Sequence, residues 1–195
     1  DDIKKLCTEA KQYKFATVAI NSCWTKFAHA ELAGSGVGIT TCIGFPLGAC
    51  TTAAKVAEAK QAVEDGTTEI DMVINGGHLI AGDDDYVMND IKAVVEAAGS
   101  VPVKVILECC LLDDQQIVRA CKDCMEAGAA FVKTSTGFST GGATVHDVAL
   151  MKQTVGDVCK VKAAGGIHNK ADAEAMVQAG ADRLGCSSGI AIVTE

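Results

Sequence analysis

Three strand-like runs of this 195-residue chain set a lysine among apolar neighbours: Phe131-Val132-Lys133-Thr134-Ser135, Val101-Pro-Val-Lys104-Val-Ile-Leu-Glu108 and Lys160-Val-Lys162-Ala-Ala-Gly-Gly-Ile167. An ordinary lysine is only about 0.04% neutral at pH 7, whereas one tuned to a pKa near ~7 is half neutral. Burial and a second nearby cation are two ways of making that shift, and a neutral amine is a nucleophile able to form a Schiff base. For any single strand lysine the plainer reading is a stem lying on apolar surface with its head in water. Three such lysines in one sheet can converge. Asp71, in Glu69-Ile-Asp-Met-Val-Ile-Asn75, joins them as a carboxylate inside an apolar strand. A proton carrier and a counter-ion for a buried lysine are equally open readings for it.

The elements that must position these groups follow from periodicity. Ile3, Leu6, Cys7, Ala10 and Tyr13 recur at helical spacing behind two leading aspartates, so the chain opens with a helix. Strands are predicted over Phe15–Asn21, Val37–Phe45, Ile70–Asn75, Val101–Glu108, Ala130–Thr136, Lys160–Ala164 and Arg183–Cys186, with helices between them and a short last helix. Apolar-rich strands alternating with helices predict parallel strands joined by crossovers. Seven strands after a leading helix are one short of a (β/α)8 TIM barrel, so the fold class predicted is that barrel with its first strand missing upstream of Asp1. An open doubly wound sheet competes, but no Gly-rich dinucleotide loop follows the first strand.

The bulk numbers fit one domain over residues 1–195, since 49% of the residues are hydrophobic and 22% charged. A net charge of -8 without a Lys/Arg run argues against nucleic acid or an anionic membrane as the main partner. No apolar run approaches a membrane span, and the opening residues carry no hydrophobic signal region, so a cytoplasmic protein is expected. The ten cysteines are scattered and read as reduced core fillers. The one close pair, Cys121 and Cys124, has no second pair at metal spacing, and no metal is expected. The four histidines, His29, His78, His146 and His168, are assigned to surface or loop positions.

Any anionic substrate must then be held by local donors. Phosphate-binding barrels use the loops after strands seven and eight, near the start of a short extra helix. Here Gly165 and Gly166 follow the Lys162 strand, while Gly185, Ser187, Ser188 and Gly189 lead into Ile190-Ala-Ile-Val193. Backbone amides and hydroxyls there can meet an anion, although each loop alone also reads as ordinary turn glycine.

With these residues in view, the chain closely resembles the deoxyribose-phosphate aldolases, which are class I aldolases. The motifs that carry the resemblance are Glu69 to Asn75, Val103-Lys-Val-Ile-Leu-Glu108, Phe131-Val-Lys-Thr-Ser-Thr-Gly137, Val161-Lys-Ala-Ala-Gly-Gly-Ile167 and Gly185-Cys-Ser-Ser-Gly189, in the family's order and across essentially the whole chain. The resemblance implies reversible cleavage of 2-deoxy-D-ribose 5-phosphate to D-glyceraldehyde 3-phosphate and acetaldehyde, in deoxyribonucleotide catabolism. Lys133 is implied as the imine-forming amine, Lys162 as the neighbour that helps keep it neutral, and Asp71 as part of the proton relay. The phosphate is expected on Gly165, Gly166, Gly185, Ser187 and Ser188, with Thr134 and Lys104 completing the substrate-binding set. A purely structural ion pair is the other reading of Lys104. Only the family ranks Lys133 above Lys162. No cofactor is implied beyond the covalent imine, the partner is a small phosphosugar, and a homodimer or higher homo-oligomer is compatible with the reading.

Some positions depart from the family. Its first strand, which brings an acidic residue near the site, has no counterpart here, and cysteine stands at Cys50, Cys109 and Cys186 where other residues are expected. Ala19 takes a strand position where cysteine is expected. Two further readings stand beside the aldolase: another phosphosugar enzyme on the same loops, or a barrel that binds a phosphometabolite or a partner without chemistry.

Overall fold

A computed structural model describes all of residues 1–195. In chain order its elements are α1 (Asp2–Tyr13), β1 (Thr17–Asn21), α2 (Thr25–Leu32), β2 (Gly38–Ile43), α3 (Thr52–Glu64), β3 (Glu69–Val73), α4 (Gly76–Ala81), α5 (Asp84–Ala98) and β4 (Val103–Ile106). They continue as α6 (Asp114–Glu126), β5 (Phe131–Lys133), α7 (Val145–Val155), β6 (Lys160–Ala164), α8 (Lys170–Gln178), β7 (Arg183–Gly185) and α9 (Gly189–Thr194). All seven strands are parallel and pair in sequence order from β1 to β7. A doubly wound sheet needs a point where that order reverses, and there is none. The sheet instead curls on itself: Glu69 on β3 reaches Arg183 on β7, four strands away. The result is a (β/α)8 barrel lacking one strand, as the spacing predicts.

Strand residues alternate between two environments because the side-chain period is two. Ile70, Met72, Val103, Val105, Val132, Val161 and Ala163 turn outward into the main core beneath the helices. The opposite set, which includes Asp71, Lys104, Lys133 and Lys162, turns into the barrel. Helices supply the other wall through apolar stripes. On α5 the buried apolar residues are Val87, Ile91, Val94 and Ala98, and on α6 they include Ile117, Ala120, Cys121 and Cys124. The start of α6 is fixed by a capping box in which Asp113 and Gln116 satisfy each other's free amides.

The structure differs from the sequence reading in three places. Short α4 goes unforeseen because it opens on Gly76 and Gly77, poor helix formers. Strands β4 and β5 are shorter than predicted, since the apolar runs continue as buried loop after the ladder ends. The cysteines divide: Cys7, Cys42, Cys109, Cys121, Cys124 and Cys159 are buried, but Cys23, Cys50, Cys110 and Cys186 are exposed and fill no core. Burial pushes the Cys121 thiol up to about 12, as expected of an inert filler. His29, His146 and His168 are exposed and His78, on α4, is half-buried.

Asp123 on α6 is at odds with its surroundings. It is buried, and its Oδ2 has no hydrogen-bond partner. Burial, aided by the Asp84 charge, pushes its carboxyl up to about 6. The folded chain therefore holds this proton more tightly than the unfolded chain, whose carboxyl titrates near ~3.9. Stability from this group is present at low pH and is lost as pH rises through about 6. Asp123→Asn is expected to raise the thermal midpoint at pH 7.5 and to change it little at pH 4, which melting curves at the two pH values would check.

Candidate active site

Strand pairing brings the site together. Asp71 on β3 lies opposite Lys104 on β4, Ile106 opposite Lys133 on β5, and Lys133 opposite Lys162 on β6. All four polar side chains point inward and meet at one carboxylate. Lys104 Nζ donates to Asp71 Oδ1 at 2.9 Å, while Lys133 and Lys162 both donate to Asp71 Oδ2, at 2.7 and 2.8 Å. Asp71 is fully buried, and burial alone would raise its pKa. The three ammoniums outweigh that and hold it well below the usual carboxylate range. A second carboxylate, Glu69, sits one step down the same strand, 2.6 Å from Lys104 and 3.3 Å from Arg183.

The count of charges decides the chemistry. Lys104, Lys133, Lys162 and Arg183 face only Asp71 and Glu69, so cations are in excess. The contrast is Lys55, a completely buried lysine matched one to one with Asp90 at 2.5 Å between α3 and α5. That pair is a counter-ion arrangement. In the barrel the excess must be relieved, and Lys162 shows it: burial brings its amine down to about 8, helped by the Lys133 and Lys104 charges and opposed by Asp71.

The predicted residues fall into distinct places. Lys133 and Lys162 keep 5% and 3% exposure and touch the barrel interior, whereas Lys104 keeps 0% and is locked between two carboxylates. Lys104 is therefore held within the charge network by both carboxylates. Thr134 likewise presents no free atom. Its buried hydroxyl donates to the Ala164 carbonyl and accepts from the Ala164 amide, both at 3.1 Å, stitching the loop after β5 to β6.

The glycine and serine loops lie at neighbouring strand ends, where Ala164 pairs with Gly185. Gly165 and Gly166 adopt φ of 81° and 75°, a left-handed backbone that side chains disfavour. A Cβ on Gly185 would come within 3.0 Å of Lys162 Cε, so glycine there leaves the amine room. Ser187 is exposed and Ser188 partly so, just ahead of α9.

Several participants escape the sequence reading. Glu69 and Arg183 meet across 114 positions of chain and give no local signal. Gly142 packs its backbone on the Gly165-Gly166 turn so closely that a Cβ would meet the Gly165 carbonyl carbon at 2.5 Å. The doublet Gly141-Gly142 could have drawn notice. Glu108 closes β4 with a left-handed backbone and binds Thr136. Beside it, a cleft of about 300 Å³ is lined by Val73, Leu107, Glu108, Leu111, Thr136 and Phe138 among others.

No group of three His, Cys, Asp or Glu side chains comes together to hold a metal ion. No helix is long and apolar enough to cross a membrane.

Residues 1–195 match the family described as DeoC/LacD family aldolase. The deoxyribose-phosphate aldolase of Clostridium novyi (strain NT) is 58% identical over 194 residues, 99% of this chain and 87% of that protein. Its counterpart in Bacillus cytotoxicus is 56% identical over the same shares of the two chains. Among solved structures, the tetrameric deoxyribose phosphate aldolase from Aeropyrum pernix aligns with a TM-score of 0.92 at 33% identity, covering 99% of this chain and 82% of that one.

Proposed function

The chain belongs to the DeoC/LacD aldolase family, and on that premise we propose that it is a deoxyribose-phosphate aldolase that works through a lysine imine. Its reaction is the reversible cleavage of 2-deoxy-D-ribose 5-phosphate to D-glyceraldehyde 3-phosphate and acetaldehyde. One observation carries the mechanism: two amines, Lys133 and Lys162, share a single oxygen of Asp71. Both amines meet at that oxygen, and one carboxylate cannot balance two ammoniums.

Neutral Lys162 takes a proton from the Lys133 ammonium, which frees the Lys133 lone pair. That amine adds to C1 of the open-chain aldehyde, and loss of water leaves a protonated imine. The iminium is the electron sink. A proton leaves the C3 hydroxyl, the C2–C3 bond breaks, and its electron pair moves into the iminium to give an enamine as glyceraldehyde 3-phosphate departs. Protonation of the enamine at C2 and addition of water release acetaldehyde and regenerate the amine. Asp71, kept ionised by its three partners, holds the two amines in register at one oxygen, so that the proton relay runs along its hydrogen bonds. Because the imine accepts the electrons, the reaction calls on no metal or organic cofactor. The phosphate is assigned to Gly165, Gly166, Gly185, Ser187 and Ser188, where the backbone can approach an anion.

The same reading puts the enzyme in cytoplasmic deoxyribonucleotide catabolism. The tetrameric relative from Aeropyrum pernix supports a homo-oligomer. One feature favours a second assignment: the amine lowered to about 8 is Lys162, so Lys162 could itself form the imine.

Sodium borohydride trapping with 2-deoxyribose 5-phosphate or acetaldehyde, followed by peptide mass mapping, tests both. The expected result is a reduced adduct on the peptide containing Lys133. An adduct on Lys162 exchanges the two roles, and no adduct in a folded chain rejects imine chemistry.

A further inference from the structure

Glu108 combines three properties that seldom occur together. It is a non-glycine residue with φ 58° and ψ 59°, it is 8% exposed, and its carboxylate has no cation within 4.0 Å. Lys14, the other non-glycine residue with positive φ, merely ends α1. Left-handed backbone is strained for a residue with a Cβ, and a buried carboxylate without a cation needs other partners. Strain kept at the rim of a site is a pointer to what the side chain does there.

What the side chain does is grip one residue twice. One oxygen of Glu108 accepts the Thr136 amide at 3.1 Å, and the other accepts the Thr136 hydroxyl. The Thr136 hydroxyl oxygen in turn accepts the Phe138 amide at 3.0 Å. On either side of Glu108 the backbone holds the same loop, with the Leu107 amide on the Lys133 carbonyl and the Cys109 amide on the Thr134 carbonyl, both at 2.9 Å. The far side of the loop lies against the Gly165 turn. A Cβ on Gly165 would sit 3.6 Å from Ser135 Cβ, 3.7 Å from Gly137 Cα and 3.2 Å from Gly142 Cα.

Glu108 thus stands behind a short segment whose first residue is Lys133 and whose other face supports the glycine turn after β6. We propose that Glu108 is a positioning residue that fixes the distance between the imine-forming lysine and the phosphate turn by clamping Thr136. The inference rests on the assignment of imine and phosphate sites above. It adds that the reach of the substrate, from C1 to its phosphate, is set by a carboxylate that touches neither end.

The test compares 2-deoxyribose 5-phosphate with unphosphorylated 2-deoxyribose in Glu108→Gly and Glu108→Gln. Glycine relieves the backbone strain and removes the clamp, whereas glutamine keeps an acceptor for the Thr136 amide. For Glu108→Gly, KM for the phosphorylated substrate is expected to rise about tenfold or more, as a misplaced anchor would cause. Its kcat/KM for 2-deoxyribose and its rate of borohydride trapping with acetaldehyde are expected to stay within about twofold, a change too small to matter in free energy. Glu108→Gln should fall between Glu108→Gly and the parent. Equal losses on both sugars, or no loss on either while the protein stays folded, would overturn the proposal. Absence of any acetaldehyde adduct in the parent enzyme would instead reject the imine assignment itself.

Discussion

Asp71→Asn is expected to cost roughly 3 to 5 kcal/mol of stability, the usual result of removing one partner from a buried ionic cluster. For a chain of this size that corresponds to a fall in thermal midpoint on the order of 10 °C. The reason is specific to this barrel. Three ammoniums donate to the two oxygens of Asp71, and an amide can accept on one oxygen only and carries no charge. The pH dependence has a definite sign. Asp71 is held below its unfolded pKa, so its contribution is complete above about pH 4 and is lost as pH falls toward its folded value. In the variant, the lysines lose their only shared anion and prefer to shed protons. Its deficit should therefore shrink above pH ~10, where lysines are neutral in the unfolded chain as well. Activity should fall with the cluster, since neither amine is held in place. Melting curves from pH 5 to 10.5 would settle it, and a constant deficit over that range would mean that Asp71 acts by packing alone.

Lys162→Met is expected to separate activity from stability. If neutral Lys162 is the base that frees Lys133, kcat/KM of the parent enzyme rises with pH through an inflection at about 8. Loss of such a base typically lowers the rate by about 10² to 10⁴ and removes the inflection. Stability should move the other way. The folded pKa of Lys162 lies below the value near ~10.4 of the unfolded chain, so the folded state binds fewer protons between them. The charged amine is a burden at pH 7, fully lifted only above the unfolded pKa. A methionine of similar volume removes it, and the thermal midpoint at pH 7 should hold or rise. A variant that loses both rate and fold would assign Lys162 a structural role.

The strand lysines were legible in the sequence because each interrupts an apolar run, and because the alternation of β-strand residues puts one set of side chains on one face. Asp71 was legible in the same way, as a carboxylate inside an apolar strand. Convergence itself was an inference from the barrel, and the barrel came from counting strands. Sequence could not rank Lys133 over Lys162. The structure adds that Lys162 is brought down to about 8, which depends on distances no spacing encodes. Nor could it tell that Lys104 is sealed between Glu69 and Asp71, or that Thr134 spends its hydroxyl on Ala164. Arg183 and Glu108 remained invisible for a common reason: their partners are side chains from other strands and loops, and the residues beside them in sequence are ordinary.

The last strand, β7, is short, and it ties two parts of the charge cluster together. It has three residues, all partly exposed, in register with β6. Yet Arg183 on this strand neutralises Glu69, and Gly185 borders Lys162. Momentary opening of β7 would withdraw a cation from the interior and let water reach an amine that burial keeps low. Fraying of this short strand is therefore also a fluctuation in the basicity of the buried amine cluster, and whatever braces β7 keeps Lys162 at its lowered pKa.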